Sequence, residues 1–348
     1  MKILITGNMG YIGPNVVAHF RKTHPNATLI GYDSAFFADA LTTPLRFPES
    51  QIDQQYFGDV RNLPAEVLKG VDAVIHLAAI SNDPMGKAYE DVTMQVNHEA
   101  SVAIAKKAKQ AGAKAFVFAS SCSVYGFADD RARTESSELN PLTAYARSKV
   151  ATEKDLQPLA DKNFVVSCLR FSTACGMSPR LRLDLVLNDF VASAIAAKKI
   201  TILSDGTPWR PLINTKDMAR SMEWAATRSA DNGGAFLIVN VGNDEWNYQV
   251  KDLALAVQKQ TPGVDVSINK DAAPDKRSYR VDFALYRKLA PNHQPAYDLT
   301  ATVRELKEGL EAIAFHDANF RESRLIRLRM LNNLKQAGYL NDQLFWRS

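Results

Sequence analysis

A chain of 348 residues can bury a full core without disulfides or metals, and 46% apolar with 23% charged residues is the balance of a folded globular protein. That composition excludes disordered and fibrous classes, and no apolar run approaches the ~20 residues of a membrane-spanning helix. The formal charge of +4 is gathered near the C-terminus, where Arg321, Arg324, Arg327, Arg329, Lys335 and Arg347 outnumber Glu322 and Asp342.

From the N-terminus, the apolar run Ile3-Leu4-Ile5 is too short for a secretory leader and reads as part of a strand, Lys2–Thr6. Further short apolar runs predict strands at Thr28–Tyr32, Gln55–Phe57, Ala73–Leu77, Ala115–Ala119, Val165–Phe171 and Phe236–Val241. Helical periodicity separates them at Asn15–Lys22, Asp91–Ala111, Ala144–Leu159 and Thr215–Arg228. Alternating strands and helices define an α/β protein with a Rossmann-type, doubly wound parallel sheet. After Cys175 the rhythm breaks around Pro179, Pro208 and Pro211, with a helix over Asp184–Ala197. The expected division is therefore 1–176 with 211–244 for the first domain, and 177–210 with 245–348 for a smaller discontinuous one. Leu325, Leu328, Leu331 and Leu334 recur at helical spacing, which favours a docked amphipathic helix with a solvated basic face over nucleic-acid binding.

Gly7-Asn8-Met9-Gly10-Tyr11-Ile12-Gly13 lies between the first strand and first helix. Gly7 permits a tight turn, Gly10 a close approach of backbone to a pyrophosphate, and Gly13 close helix–strand packing. The helix N-terminus offers free N–H groups and the positive end of a dipole to phosphate, and Pro14 is tolerated in its first turn. Asp33 ends the second strand, 20 residues beyond Gly13. A carboxylate there accepts both ribose hydroxyls of NAD and repels a 2′-phosphate. Asp59-Val60 is placed to meet adenine, and the small residues of Leu77-Ala78-Ala79 leave room for a cofactor to pass.

Ser120-Ser121-Cys122-Ser123-Val124-Tyr125-Gly126 follows the fifth strand, and Tyr145-Ala146-Arg147-Ser148-Lys149 opens the next helix. Residues four apart share a helix face, so Lys149 is expected beside the Tyr145 hydroxyl, where a cation favours the phenolate. Together these motifs resemble the extended short-chain dehydrogenases/reductases, in particular the NAD-dependent nucleotide-sugar epimerase/dehydratase family, from Met1 to about Gly309. The resemblance implies Tyr145 as base, Lys149 as its partner and ribose anchor, Ser121 as the group that orients a sugar hydroxyl, and Asn97 as a structural asparagine of the cofactor fold. It also implies a nucleotide-diphosphate sugar as substrate, a transient 4-keto sugar, and a homodimer packed through helices starting near Asp91 and Tyr145.

Family 4,6-dehydratases carry an Asp-Glu pair where this chain has Cys122 and Ser123, which argues for carbon-4 epimerisation or simple reduction instead. Thr173 stands where the family's substrate-facing asparagine is common. Ser81, within Ser81-Asn82-Asp83-Pro84, and Ser123 are expected to line the sugar pocket. Asn188 resembles the asparagine that contacts the diphosphate, Arg210 resembles the arginine of the family loop that pairs with phosphate, and Arg277 is a second candidate for that role. Cys122, Cys168 and Cys175 are too few and irregular for a disulfide framework or zinc site, which fits a reducing, cytoplasmic compartment. None of the six histidines has metal-ligand spacing, so no metal is expected; His76, inside an apolar strand, reads as a core histidine.

Overall fold

The structure, a computed structural model, describes residues 1–43, 46–127, 131–269, 271–272 and 278–347. Its strands are β1 (Lys2–Thr6), β2 (Thr28–Asp33), β3 (Gln54–Phe57), β4 (Ala73–His76), β5 (Ala115–Ser121), β6 (Val165–Phe171), β7 (Thr173–Cys175), β8 (Lys199–Ile202), β9 (Trp209–Asn214), β10 (Phe236–Val241), β11 (Asn247–Gln249) and β12 (Asp265–Ile268). Seven of them form a parallel sheet in the order β10-β6-β5-β4-β1-β2-β3. This is the Rossmann-type doubly wound sheet, and the strands read from apolar runs lie within two residues of their observed ends. Successive residues of β1 feed opposite layers. Leu4 joins Ile30, Val74, Phe116 and Phe118 on one face, while Ile3 and Ile5 join Val16, Phe20 and Met222 on the other. Both faces are covered, which is why these strands are nearly continuous apolar runs instead of alternating ones.

Strand order reverses between β1 and β4, so the crevice beyond their carboxyl ends is where such sheets hold ligands. A second, smaller core lies beyond that edge. Leu181, Leu187, Val191, Ile200, Leu253, Val257, Leu306 and Leu310 belong to it, together with Leu212 of β9 and Tyr11 of the glycine loop. Leu331, Leu340 and Leu344 pack into the first layer of the main sheet, not into the smaller core.

Two helices differ from the sequence expectation for identifiable reasons. The single helix expected over Asp91–Ala111 is a helix at Glu90–Met94, a π-turn at Gln95–Glu99 and a helix at Ala100–Gln110. The widened turn holds Asn97, whose side chain accepts from Ile80 N (2.8 Å) and donates to Ile80 O (3.0 Å) and Ser148 Oγ (3.1 Å). π-Turns of this kind concentrate at functional sites, and this one clamps the strand end that carries the cavity floor. The C-terminal helix spans Arg327–Gln336 and docks as its leucine spacing predicts, but Arg327 is buried, not on a solvated basic face.

His76 is a satisfied core histidine. Its ring bridges Thr6 Oγ1 (2.7 Å) and Ser101 Oγ (2.8 Å), and burial holds its pKa down to about 3, so it stays neutral.

Candidate active site

A cavity of about 1000 Å³ opens at the reversal point between β1 and β4 and runs toward the smaller core. Such a volume is at the upper end of the roughly 300–1,000 Å³ of ligand sites. Its floor is the glycine loop. Gly7 has φ +73°, and a Cβ there would meet Ala78 N at 2.6 Å; at Gly13 it would meet Asn8 O at 2.3 Å. Neither position admits a side chain, so the loop lies flat on the β4 end and the helix Gly13–Thr23 starts directly beneath the cavity. No side chain caps that helix, which leaves its dipole and first N–H groups for an anion. Gly10, Tyr11, Ile12, Val60, Leu77, Ala78 and Ala79 line the same wall.

Asp33 closes the far end. Its carboxylate accepts from Met9 N (2.9 Å) and Ala35 N (2.7 Å), so it also locks the glycine loop, and burial pushes its pKa up against those two bonds. Each oxygen keeps a further lone pair for a ribose hydroxyl. Met9 itself is buried behind the wall and contributes only its backbone. Asp59 lines the cavity, but Arg61 holds its carboxylate in a fork (2.9 and 2.6 Å), leaving the backbone and Val60 to meet a base. The flat glycine cradle, the uncapped helix and the buried carboxylate together fit a dinucleotide.

The other half holds Ser121, Tyr145 and Lys149 together at one wall. Thr143 caps the helix Ala144–Leu156, accepting from Ala146 N (3.1 Å) and donating to Asp83 (2.7 Å). That cap fixes Tyr145 in the first turn, facing β5. Ser121 stands close enough to the Tyr145 hydroxyl to favour its ionised form. Lys149 Nζ lies 5.5 Å from the Tyr145 ring centroid and donates to Ala119 O at 2.7 Å.

The electrostatics depart from the sequence expectation. Burial pushes the Tyr145 hydroxyl up to about 12, only partly offset by the nearby Ser121 side chain, with Asp83 adding to the rise. Burial also pulls Lys149 down to about 7, partly opposed by Glu153. Desolvation outweighs the lysine's effect on the phenol because both groups share one dry wall.

Lys149 therefore costs the free protein stability. Its folded pKa lies below the unfolded 10.5, so between about pH 7 and 10.5 the unfolded chain binds the extra proton. The penalty is full at and below pH 7 and disappears as pH rises to 10.5. Lys149→Met is expected to abolish turnover yet raise unfolding stability at pH 6 by on the order of 2 kcal/mol, net of the orphaned Ala119 carbonyl, with no gain near pH 10.5. Urea unfolding of both proteins across pH checks this; a variant less stable at pH 6 contradicts it.

Beneath this wall runs a buried network. Glu153 accepts from Ser120 Oγ (2.5 Å) and forms a two-point pair with Arg170 (3.0 and 2.6 Å). Arg170 also donates to the Tyr125 hydroxyl (3.1 Å), which donates to Asn240 (2.6 Å). The network thus ties β5, the turn that follows it, the helix Ala144–Leu156, β6 and β10 together.

Ser81, Ser123, Thr173 and Arg210 all line the cavity. Ser123 Oγ is buried there without a hydrogen-bond partner. Cys122 faces away, its thiol directed at Arg170 O (3.1 Å) and pushed far up by burial. Besides Met9, two further expected contacts lie off the cavity wall. Asn188 is fully buried, accepting from Gly176 N (3.1 Å) and donating to the Tyr11 hydroxyl (2.9 Å) and Arg182 O (2.9 Å), so its polar atoms are engaged inside the fold. Asn97 acts through Ile80, as described. Arg277 lies outside the described residues.

Sequence reasoning missed Arg182, Asp184 and Arg327, which line the cavity. Arg182 pairs with Asp184 (2.7 and 2.8 Å) and donates to Ser81 Oγ (2.9 Å). The available signal was the pattern Ser178-Pro179-Arg180-Leu181-Arg182-Leu183, with arginines alternating against apolar residues as on a half-buried segment.

The doubly wound sheet, glycine cradle and Ser121–Tyr145–Lys149 wall define a dinucleotide-binding oxidoreductase-type enzyme. The description "NAD dependent epimerase/dehydratase family" fits residues 3–242, and the chain belongs to that family. It is thus an NAD-dependent enzyme of the extended short-chain dehydrogenase/reductase type, in the class of nucleotide-sugar epimerases and dehydratases. Among its relatives is a Bacillus subtilis protein named an uncharacterized UDP-glucose epimerase, 28% identical over 64% of this chain and 71% of that one. A dTDP-glucose 4,6-dehydratase of Streptomyces griseus is 27% identical over 86% of this chain and 92% of its own. In fold, the chain is similar to the UDP-glucuronic acid 4-epimerase of Bacillus cereus solved with UDP-glucuronic acid and NAD. That match has a TM-score of 0.75 at 21% identity and covers 90% of this chain and 100% of that one.

Proposed function

We propose that this enzyme converts a nucleotide-diphosphate sugar into its carbon-4 epimer through a transient 4-keto sugar, using tightly held NAD. The observation that carries the reading is the Ser121–Tyr145–Lys149 wall combined with what stands beside it. Cys122 is turned away with a thiol far from ionising, and Ser123 offers only a hydroxyl. Eliminating water from a 4-keto sugar needs a placed acid and base, and neither residue supplies one at neutral pH.

In this reading Gly7, Gly10, Gly13 and Asp33 hold NAD, which when bound supplies the hydride acceptor and a positive ring charge that favours the phenolate. Ser121 orients the sugar hydroxyl toward Tyr145. Tyr145 takes the hydroxyl proton as the ketone forms and returns it when the alcohol is restored. Lys149, charged in part at neutral pH, stabilises the phenolate and anchors the adjacent ribose. Ser123, Thr173 and Ser81 face the sugar, and Arg182 and Arg210 its diphosphate. Such general-base help contributes roughly 10²–10⁴-fold.

The test is incubation of the purified chain with a panel of nucleotide sugars, read by NMR and by absorbance of reduced nicotinamide. Epimerisation without net reduction supports the proposal. Stoichiometric accumulation of NADH makes the enzyme a dehydrogenase, and a product lighter by one water makes it a dehydratase. The same preparation, by light scattering, reads the homodimer that this reading includes.

A further inference from the structure

Arg327 stands apart from the other buried cations. Its side chain is 1% exposed and lines the cavity; Nη2 donates to Arg180 O (2.7 Å), but Nη1 is buried without any hydrogen-bond partner. Its buried arginine neighbours each have a carboxylate: Arg180 pairs with Glu49 and Arg182 with Asp184. An unpaired buried guanidinium is costly unless an anion completes it. The desolvation is strong enough to pull its pKa down to about 9, with Arg182 adding to the effect and Asp184 opposing it only in part.

The surroundings of Arg327 say which anion. Its guanidinium lies 4.7 Å from the centroid of Phe37, in the segment that follows Asp33. The chain beyond it returns to the same end of the cavity. Leu344 lines the wall, the Arg61 guanidinium lies 3.6 Å over the Phe345 ring, and Trp346 donates from Nε1 to Ser34 O (2.6 Å) with its ring 5.6 Å from Phe36. Asn341 stiffens this stretch by accepting from Gln343 N and Phe345 N, both at 3.0 Å. All of it lies beyond residues 3–242, the part of the chain that the family description covers.

We infer that residues 327–346 form a strap over the adenosine half of the bound dinucleotide, and that Arg327 binds its pyrophosphate through the free Nη1. The inference rests on the NAD reading above and adds a residue and a segment to it. A guanidinium held in place needs no reordering to meet phosphate, and the pair gains a charge-assisted bond inside a dry wall. The strap gives a physical reason for NAD to stay bound through turnover, because release requires lifting Trp346 from Ser34 and opening an ion pair in low dielectric.

The full-length protein is loaded with fluorescent etheno-NAD and its release followed after dilution, with UDP affinity measured in parallel. Arg327→Gln is expected to release the dinucleotide on the order of 10- to 100-fold faster, with UDP affinity changed by less than about twofold. Parent-like release overturns the inference, as does a loss confined to UDP, which would assign Arg327 to the sugar nucleotide. Should that variant not fold, the half-exposed Trp346→Ala reads the strap directly. Release about 3- to 10-fold faster supports it, and unchanged release overturns it. A parent protein that takes up no etheno-NAD sinks the cofactor reading itself, an outcome distinct from failure of the strap alone.

Discussion

Tyr145→Phe is expected to lower kcat by roughly 10²–10⁴-fold while leaving NAD affinity within about threefold. The ring remains to pack at the wall and only the hydroxyl is lost, so positioning survives and proton transfer does not. Steady-state rates on the active sugar nucleotide, with calorimetry for NAD, check this. Parent-like kcat would remove Tyr145 from the chemistry.

Glu153→Ala is expected to destabilise the fold by about 3–5 kcal/mol, the cost of stranding a buried charge. Arg170 and Glu153 are each 3% exposed and bonded at two points, and the same carboxylate receives Ser120 Oγ. Removing it leaves Arg170 without the carboxylate it bonds at two points and Ser120 without an acceptor. It also withdraws the charge that holds Lys149 protonated, so activity should fall even at temperatures where the variant stays folded. Urea denaturation with an unchanged m-value checks the first effect. Glu153→Gln, which keeps an acceptor for Ser120, should lose less. A loss under about 1 kcal/mol for the alanine variant would mean that the network is not holding the catalytic wall.

What could be read from the sequence was what local chemistry dictates. The sheet was visible because strands buried on both faces must be apolar along their whole length, and β1 and β6 end where those runs end. The glycine loop was visible because Gly7 and Gly13 have no tolerable replacement where backbone approaches backbone within 3 Å of a Cβ position. Tyr145 and Lys149 were visible because a helix puts them on one face.

The remainder depends on contacts between distant parts of the chain. Asn188 carries the residue type expected at a diphosphate, but the hydroxyl of Tyr11, 177 positions earlier, draws it into the fold. The π-turn at Gln95–Glu99 answers to a backbone pair on Ile80, which helical periodicity does not register. Arg327 looked like one more charge on a basic face, because nothing local announces that residues 180 and 181 will enclose it. Lys149 was expected to lower the Tyr145 pKa, and the burial that reverses this is a property of the assembled wall. Charge type can be read from a sequence; desolvation cannot.

The central claim, that a sugar hydroxyl is oxidised and then restored within one closed site, is tested most directly with a substrate carrying deuterium on carbon 4. The epimeric product, isolated after many turnovers in ordinary water, should keep the deuterium on that carbon, because the hydride leaves and returns without meeting solvent. Loss of the label to water, or its recovery in free reduced nicotinamide, would contradict the account.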